Sequence, residues 1–249
     1  MILPKTPSFR LDGRRALVTG AGRGIGLAAA AALAEAGAEV ILVARTAPEI
    51  EAAAEAMGGS AVVLDVSERA ATDAFFAERP AFDILVNNAG TNRPKPMTEV
   101  SEEDFDAVFG LNVKSAFFVA QACARRMIAD GARGSLIHMG SQMGHVGGPN
   151  RSLYCGSKWA LEGLNKAFAL DLAAHGIRSN TIAPTFIETT LTKPFFEDPA
   201  FKASALAKIK LGRIGQVEDL MGAILFLASD ASALVTGTSL IVDGGWTAD

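Results

Sequence analysis

The chain of 249 residues contains one tyrosine, two tryptophans and two cysteines, and its scarcities narrow what it can be. Cys123 and Cys155 cannot build a disulfide framework, and neither has the neighbours of a metal site or a CxxC redox pair. A reducing, cytoplasmic setting and no bound metal are expected. There is no excess of positive charge: Lys and Arg number 23 against 27 Asp and Glu, scattered, for a net charge of −4. Nucleic acid is therefore an unexpected partner, because binding to a phosphate backbone needs clustered cations. The opening Met1 to Arg10 holds two prolines and no apolar run of signal-peptide length. The longest weakly polar run, Ile25 to Ala34, ends at Glu35, far short of the roughly 20 apolar residues that cross a bilayer. Neither export nor a membrane is expected.

What is present is globular: 49% apolar and 20% charged residues, enough to bury a substantial core as one domain over residues 1–249. Short β-branched runs alternate with longer helical patterns from end to end. Strands are predicted at Arg15 to Thr19, Glu39 to Ala44, Ala61 to Asp65, Ile84 to Asn87, Gly134 to Met139, Ile177 to Ala183 and Thr238 to Val242. Near-continuous apolar runs such as Val40 to Val43 suit burial on both faces of a parallel sheet. Long helices are expected over Ser101 to Met127 and Leu153 to Ala173. The stretch from Pro184 to Leu211 breaks the rhythm with Thr, Phe, Pro194 and Pro199, and residues 185–211 are a candidate substrate lid.

Directly after the first strand comes Thr19-Gly20-Ala21-Gly22-Arg23-Gly24-Ile25-Gly26, followed at once by a helical pattern. Gly20 permits a tight turn, Gly24 lets the backbone approach a pyrophosphate, and Gly26 lets helix pack on strand. Free N–H groups at the helix start then face the anion. This strand–turn–helix context points to an α/β fold: a Rossmann-type, doubly wound, seven-stranded parallel sheet with helices on both faces. At the end of the second strand, where a carboxylate would repel a 2′-phosphate, the chain has Ala44-Arg45. Arg45, with Arg23 in the turn, favours NADP over NAD; an Arg45 solvated over the adenine is the alternative.

The single tyrosine stands among fourteen phenylalanines, so a phenolic hydroxyl was kept at one position alone. Tyr154 and Lys158 are four apart and share a helix face. A neighbouring ammonium is expected to lower the phenol below its usual pKa of about 10, towards the range of efficient acid–base catalysis. Ser141, at the end of the fifth strand, borders the crevice where parallel sheets bind ligands.

Together the glycine turn, Asn87-Asn88-Ala89-Gly90, Asn112, Ser141, Tyr154-x-x-x-Lys158 and Asp243-Gly244-Gly245 resemble the single-domain branch of the short-chain dehydrogenase/reductase family, across essentially the whole chain. The resemblance implies hydride transfer between a nicotinamide cofactor and a secondary alcohol or its ketone. Tyr154 would be the general acid or base, and Lys158 would tune it and hold the nicotinamide ribose. Ser141 would polarise the carbonyl, and Asn112 would support a proton-relaying water. Asp65 and Val66 would lie at the adenine, Asn88, Ala89 and Gly90 along the cofactor, and Pro184, Ile187 and Thr189 near the carboxamide. The family commonly has glycine where this chain has Thr185, a departure beside the nicotinamide. The long helices would pack between subunits of a homotetramer, with Gly244 to Trp246 at a second interface.

The loop between Ser141 and Tyr154 must pass over the substrate, so it is expected to supply specificity. Gln142 and His145 offer polar donors, and Arg151, three residues before Tyr154, can bind a carboxylate through two parallel hydrogen bonds. A small hydroxy acid, sugar acid or polyol is expected. The alternatives are a 3-oxoacyl thioester on an acyl carrier protein and a non-catalytic binding protein that kept only the fold.

Overall fold

The computed structural model describes residues 1–248. Its strands are β1 (Arg15–Thr19), β2 (Glu39–Ala44), β3 (Ser60–Val63), β4 (Ile84–Asn87), β5 (Gly134–Met139), β6 (Ile177–Pro184) and β7 (Ser239–Val242). Four have the bounds expected from sequence. β3 ends two residues early, where Asp65 turns to accept hydrogen bonds from the Ser67 N–H and hydroxyl at 2.9 and 2.7 Å. All pairings are parallel, in the order β3-β2-β1-β4-β5-β6-β7. The direction of winding reverses between β1 and β4, and the crevice outside their carboxyl ends is where such sheets bind ligands.

The helices are α1 (Gly24–Glu35), α2 (Ala47–Met57), α3 (Arg69–Ala77), α4 (Glu102–Phe109), α5 (Ala116–Ala129), α6 (Ser152–Leu172), α7 (Pro199–Lys208) and α8 (Glu218–Ala228). Successive strand side chains point to opposite faces. Ala16, Val18, Val40 and Leu42 join a buried cluster with Leu33 of α1 and Ile224 of α8, whereas Leu17, Ile41 and Val43 join another with Phe75 of α3 and Val119 of α5. The continuous apolar runs are thereby explained: β1 and β2 each feed two cores. The alanines of α1, fully buried at 29, 30 and 32, bring that helix close to the sheet.

The helix expected over 101–127 is not continuous. α4 gives way to a π turn at Gly110–Ser115 before α5 begins. By length and composition the stretch Glu102–Ala129, longer than the run singled out in the sequence, meets the requirement for crossing a membrane, yet half of that apolar window is buried inside the protein. α4 starts with a capping box in which Ser101 and Asp104 satisfy each other's backbone N–H groups. Asp104 also takes Lys95 Nζ at 2.6 Å and Arg93 Nη1 at 3.2 Å, which fastens the loop at 91–100 beside the crevice.

Candidate active site

A cavity of about 820 Å³ opens along the carboxyl ends of β1, β4, β5 and β6. Of the candidate catalytic, cofactor-binding and substrate-binding residues expected from sequence, all except Asn112 and His145 line it. At one end lies the glycine turn. Gly20 and Gly24 have φ of +63° and +56°, which favour glycine. A Cβ on Gly26 would stand 2.2 Å from the Gly20 carbonyl, so only glycine lets α1 start there. Arg23 at the N-cap makes no side-chain cap, and the first turn of α1 holds no acid. Its N–H groups and the positive end of its dipole are thus free for an anion. The turn is held from β4: Asn88 Nδ2 donates to the Thr19 and Gly20 carbonyls at 3.0 and 3.2 Å, and Thr19 Oγ1 accepts from the Asn88 and Ala89 N–H groups at 3.0 and 3.1 Å.

Arg23 and Arg45 flank this end. Each stands 3.8 Å from a carboxylate, Glu49 and Asp65 respectively. For Asp65, burial pushes the pKa up, but hydrogen bonds from Ser67 and the Arg45 charge outweigh it and the net shift is downward. Both arginines are largely exposed, so these pairs are weak and easily exchanged for another anion. Val66 and Ile25 supply apolar wall, and Ala89 and Gly90 continue the floor. Across the cleft, Thr189 approaches so closely that its methyl would lie 3.2 Å from a Cβ on Gly24.

At the other end Ser141, Tyr154 and Lys158 meet on one wall. Ser141 Oγ donates to Gln142 Oε1 at 2.8 Å and accepts from the Met143 N–H at 3.1 Å. Lys158 is buried, and its Nζ donates to the Met139 carbonyl at 2.7 Å and lies 5.5 Å from the Tyr154 ring centre. The expected lowering of the Tyr154 pKa by Lys158 is not found. Burial raises it, with the Ser141 hydrogen bond and the Arg151 charge acting the other way, because the ammonium is turned to Met139. Burial likewise lowers Lys158 to about 8, against the opposing charge of Glu162.

Asn112 sits in the π turn, behind the cavity. Its Oδ1 accepts from the Thr91 N–H at 2.8 Å, and its Nδ2 donates to the Thr91 carbonyl and Ser157 Oγ at 2.9 and 3.0 Å. The amide is thus committed to tying the loop after β4 to α6. His145 is a correction: it turns away from the cavity, with Nε2 2.9 Å from Ser239 Oγ and 3.6 Å from Glu162 Oε1. Arg151 does face the cavity, its guanidinium 5.6 Å over the ring of Phe195.

The sequence reading missed Asn92, Phe186 and Phe195 as lining residues, and Thr185, noted there as a departure beside the nicotinamide, lines the cavity too. Asn92 Oδ1 and Thr185 Oγ1 are buried without a hydrogen-bond partner, polar atoms suited to a ligand. The two phenylalanines were visible only as the aromatic content of the segment after Pro184.

A family model described as enoyl-(acyl carrier protein) reductase matches residues 20–247. D-erythrulose reductase from Gallus gallus is 40% identical over 241 residues, covering 96% of this chain and 98% of that protein. The chain belongs to the short-chain dehydrogenase/reductase family. Among other members, gluconate 5-dehydrogenase of Gluconobacter oxydans (strain 621H) is 41% identical over 248 residues, covering 96% of each protein. The crystal structure of a gluconate 5-dehydrogenase from Burkholderia cenocepacia J2315, in complex with NADP and tartrate, superposes with a TM-score of 0.90 at 42% identity, covering 97% of this chain and 98% of that one. As a short-chain dehydrogenase/reductase, the chain brings its Tyr-x-x-x-Lys pair, strand-end serine and glycine turn into one cleft.

Proposed function

We propose that the protein is an NADP-dependent oxidoreductase that interconverts a secondary alcohol and a ketone on a small polyol, hydroxy acid or sugar acid. The observation that carries this reading is the convergence of Ser141, Tyr154 and Lys158 on a cleft whose other end is an uncapped helix start on a glycine turn. Relatives that reduce sugar ketoses or oxidise gluconate, and a neighbour crystallised with NADP and tartrate, support the substrate and cofactor classes.

The chain fits the dinucleotide: the glycine turn and the N–H groups of α1 suit its pyrophosphate, and Arg23 and Arg45 suit a 2′-phosphate. Asp65 and Val66 border the adenosine end, and Pro184, Ile187 and Thr189 the nicotinamide end. When bound, the nicotinamide supplies or accepts the hydride. In ketone reduction, Tyr154 passes its phenolic proton to the substrate oxygen while Ser141 redirects its hydroxyl from Gln142 Oε1 to the same oxygen. Lys158, whose ammonium sits on the Met139 carbonyl in this structure, favours the ionised phenol when it turns towards the ring. Asn112 holds the loop and helix that set this spacing. Gln142 and Arg151 bind the substrate, Arg151 through a carboxylate, and residues 185–211 close over it. Two unpaired, buried cysteines support a reducing compartment such as the cytoplasm, and the exposed apolar stripe on α6 supports a homotetramer.

Tyr154→Phe tests the mechanism. It should retain NADPH binding, measured by nucleotide fluorescence, and lose turnover by a factor of about 10³ or more; retained turnover overturns the assignment. Equal or better kcat/KM with NAD overturns the cofactor preference.

A further inference from the structure

Glu162 lies one helical turn beyond Lys158 on α6 and is only 7% exposed, an expensive place for a carboxylate that the reaction does not use. Its surroundings are built to hold it. Thr181 on β6 donates its hydroxyl to Oε2 at 2.7 Å. Two glycines leave it room: a Cβ on Gly140 would stand 2.7 Å from Oε1, and one on Gly144 would stand 3.1 Å from Cγ. Oε1 itself receives no hydrogen bond. From the segment after β5, His145 Nε2 faces it at 3.6 Å while engaging Ser239 of β7.

We infer that Glu162 is a positioning residue for the proton transfer proposed above: its buried carboxylate, one helical turn along α6, keeps the Lys158 ammonium charged. The inference rests on that reading of Tyr154 and Lys158. Burial works against the ammonium, drawing its pKa to about 8, and Glu162 is the group that opposes this. The other titratable groups near Lys158 cannot replace it. Tyr154 is held in its neutral form by burial. His138 on β5 is fully buried, and burial together with the Lys158 charge draws its pKa down to about 4, so it stays neutral. The protein thus offsets the desolvation of its catalytic lysine with a second buried charge placed behind it rather than in the cleft, where a carboxylate would repel an acidic substrate.

The test is the titration of Lys158, followed in cofactor-free protein by the Cε resonance of 13C-labelled lysine and assigned by its loss in Lys158→Arg. In Glu162→Gln the midpoint should fall by about one pH unit, and the alkaline limb of the kcat/KM profile should move down equally, about tenfold lost at pH values above both midpoints. Glu162→Asp should restore most of the shift. Glu162→Met neutralises the site without an amide to satisfy and serves if the glutamine variant does not fold. His145→Gln separates the imidazole's contribution: it should leave the Lys158 midpoint within a few tenths of a unit. An unmoved midpoint in both Glu162 variants, or a larger shift in His145→Gln, overturns the inference. Retained turnover in Tyr154→Phe would instead overturn the reaction reading, and the resonance titration would still stand on its own.

Discussion

Lys158 shows why the residues of such a site are costly to the fold. Its pKa falls from 10.5 to about 8 through burial, so over that interval the unfolded chain binds the proton more tightly than the folded one. Below pH 8 the folded state carries the whole penalty, on the order of 3 kcal/mol, which fades between pH 8 and 10.5 as both states lose the proton. Lys158→Met should therefore stabilise the inactive protein at pH 7 by about 1–3 kcal/mol, the lower figure allowing for the Met139 carbonyl left without a donor. The gain should shrink by pH 10.5. Urea denaturation at the two pH values reads this directly, and an equally or less stable variant at pH 7 contradicts it. At this scale the sequence disclosed identities better than environments. Tyr154, Lys158 and Ser141 announce themselves by spacing. The direction of the Tyr154 shift depends on how deeply the ring is buried, and the aim of His145 on Ser239, 94 positions away. Glu162 looks like any polar position on a helix until Gly140 and Gly144 bring the chain over it.

Elements were legible where a period ran undisturbed and obscure where it broke. The strands that feed two cores stood out as apolar runs, but the π turn at Gly110–Ser115 left no mark in the periodicity, because the buried positions Val108, Asn112, Ser115 and Val119 keep a spacing of three or four through it. The segment after Pro184 was recognisable by its lost rhythm alone. In the structure it carries a 3-10 turn at Lys193–Glu197 and then α7, joined to the C-terminal turn by aromatics. Phe186 packs on Trp246 at 5.6 Å and on Phe201 at 5.4 Å. Asp243 fixes that turn by accepting from the Gly245 and Thr247 N–H groups at 2.9 and 2.7 Å. Trp246 is thus a fastener for the proposed lid. An aromatic contact of this kind is worth about 0.5–1.5 kcal/mol beyond its burial, so Trp246→Ala should speed tryptic cleavage after Lys202 and Lys208 by roughly 2- to 10-fold. It should raise the substrate KM while leaving NADPH affinity nearly unchanged. Cleavage as slow as in the parent would show that the segment is held by other contacts.

For the whole molecule, strand order and two-faced burial follow from the alternation of apolar runs and helices, whereas the assembly depends on which surfaces the fold leaves uncovered. One such surface is a stripe on α6. Trp159 and Leu170 are eleven residues apart, three turns on one face, and are 55% and 81% exposed, roughly a quarter of the way round the helix from buried Lys158 and Glu162. A stripe of this kind is costly in water and suits burial against a second copy. The other uncovered region is the sheet edge at β7, where Ile241 is 40% and the nearby Leu234 is 99% exposed; an unpaired parallel edge with apolar side chains invites pairing. The C-terminal Trp246, expected at that second interface, packs on Phe186 of its own chain and stays partly exposed. Two different self-complementary surfaces on one subunit generate a tetramer of crossed two-folds, each interface requiring about 800 Å² per partner. Light scattering at micromolar concentration should then give four times the 25.9 kDa of one chain. Trp159→Glu places a charge in the α6 interface alone and should leave a dimer held through β7, with a lower Tm. A monomeric parent would remove the proposal, and a Trp159→Glu variant that stays tetrameric would place the interface elsewhere.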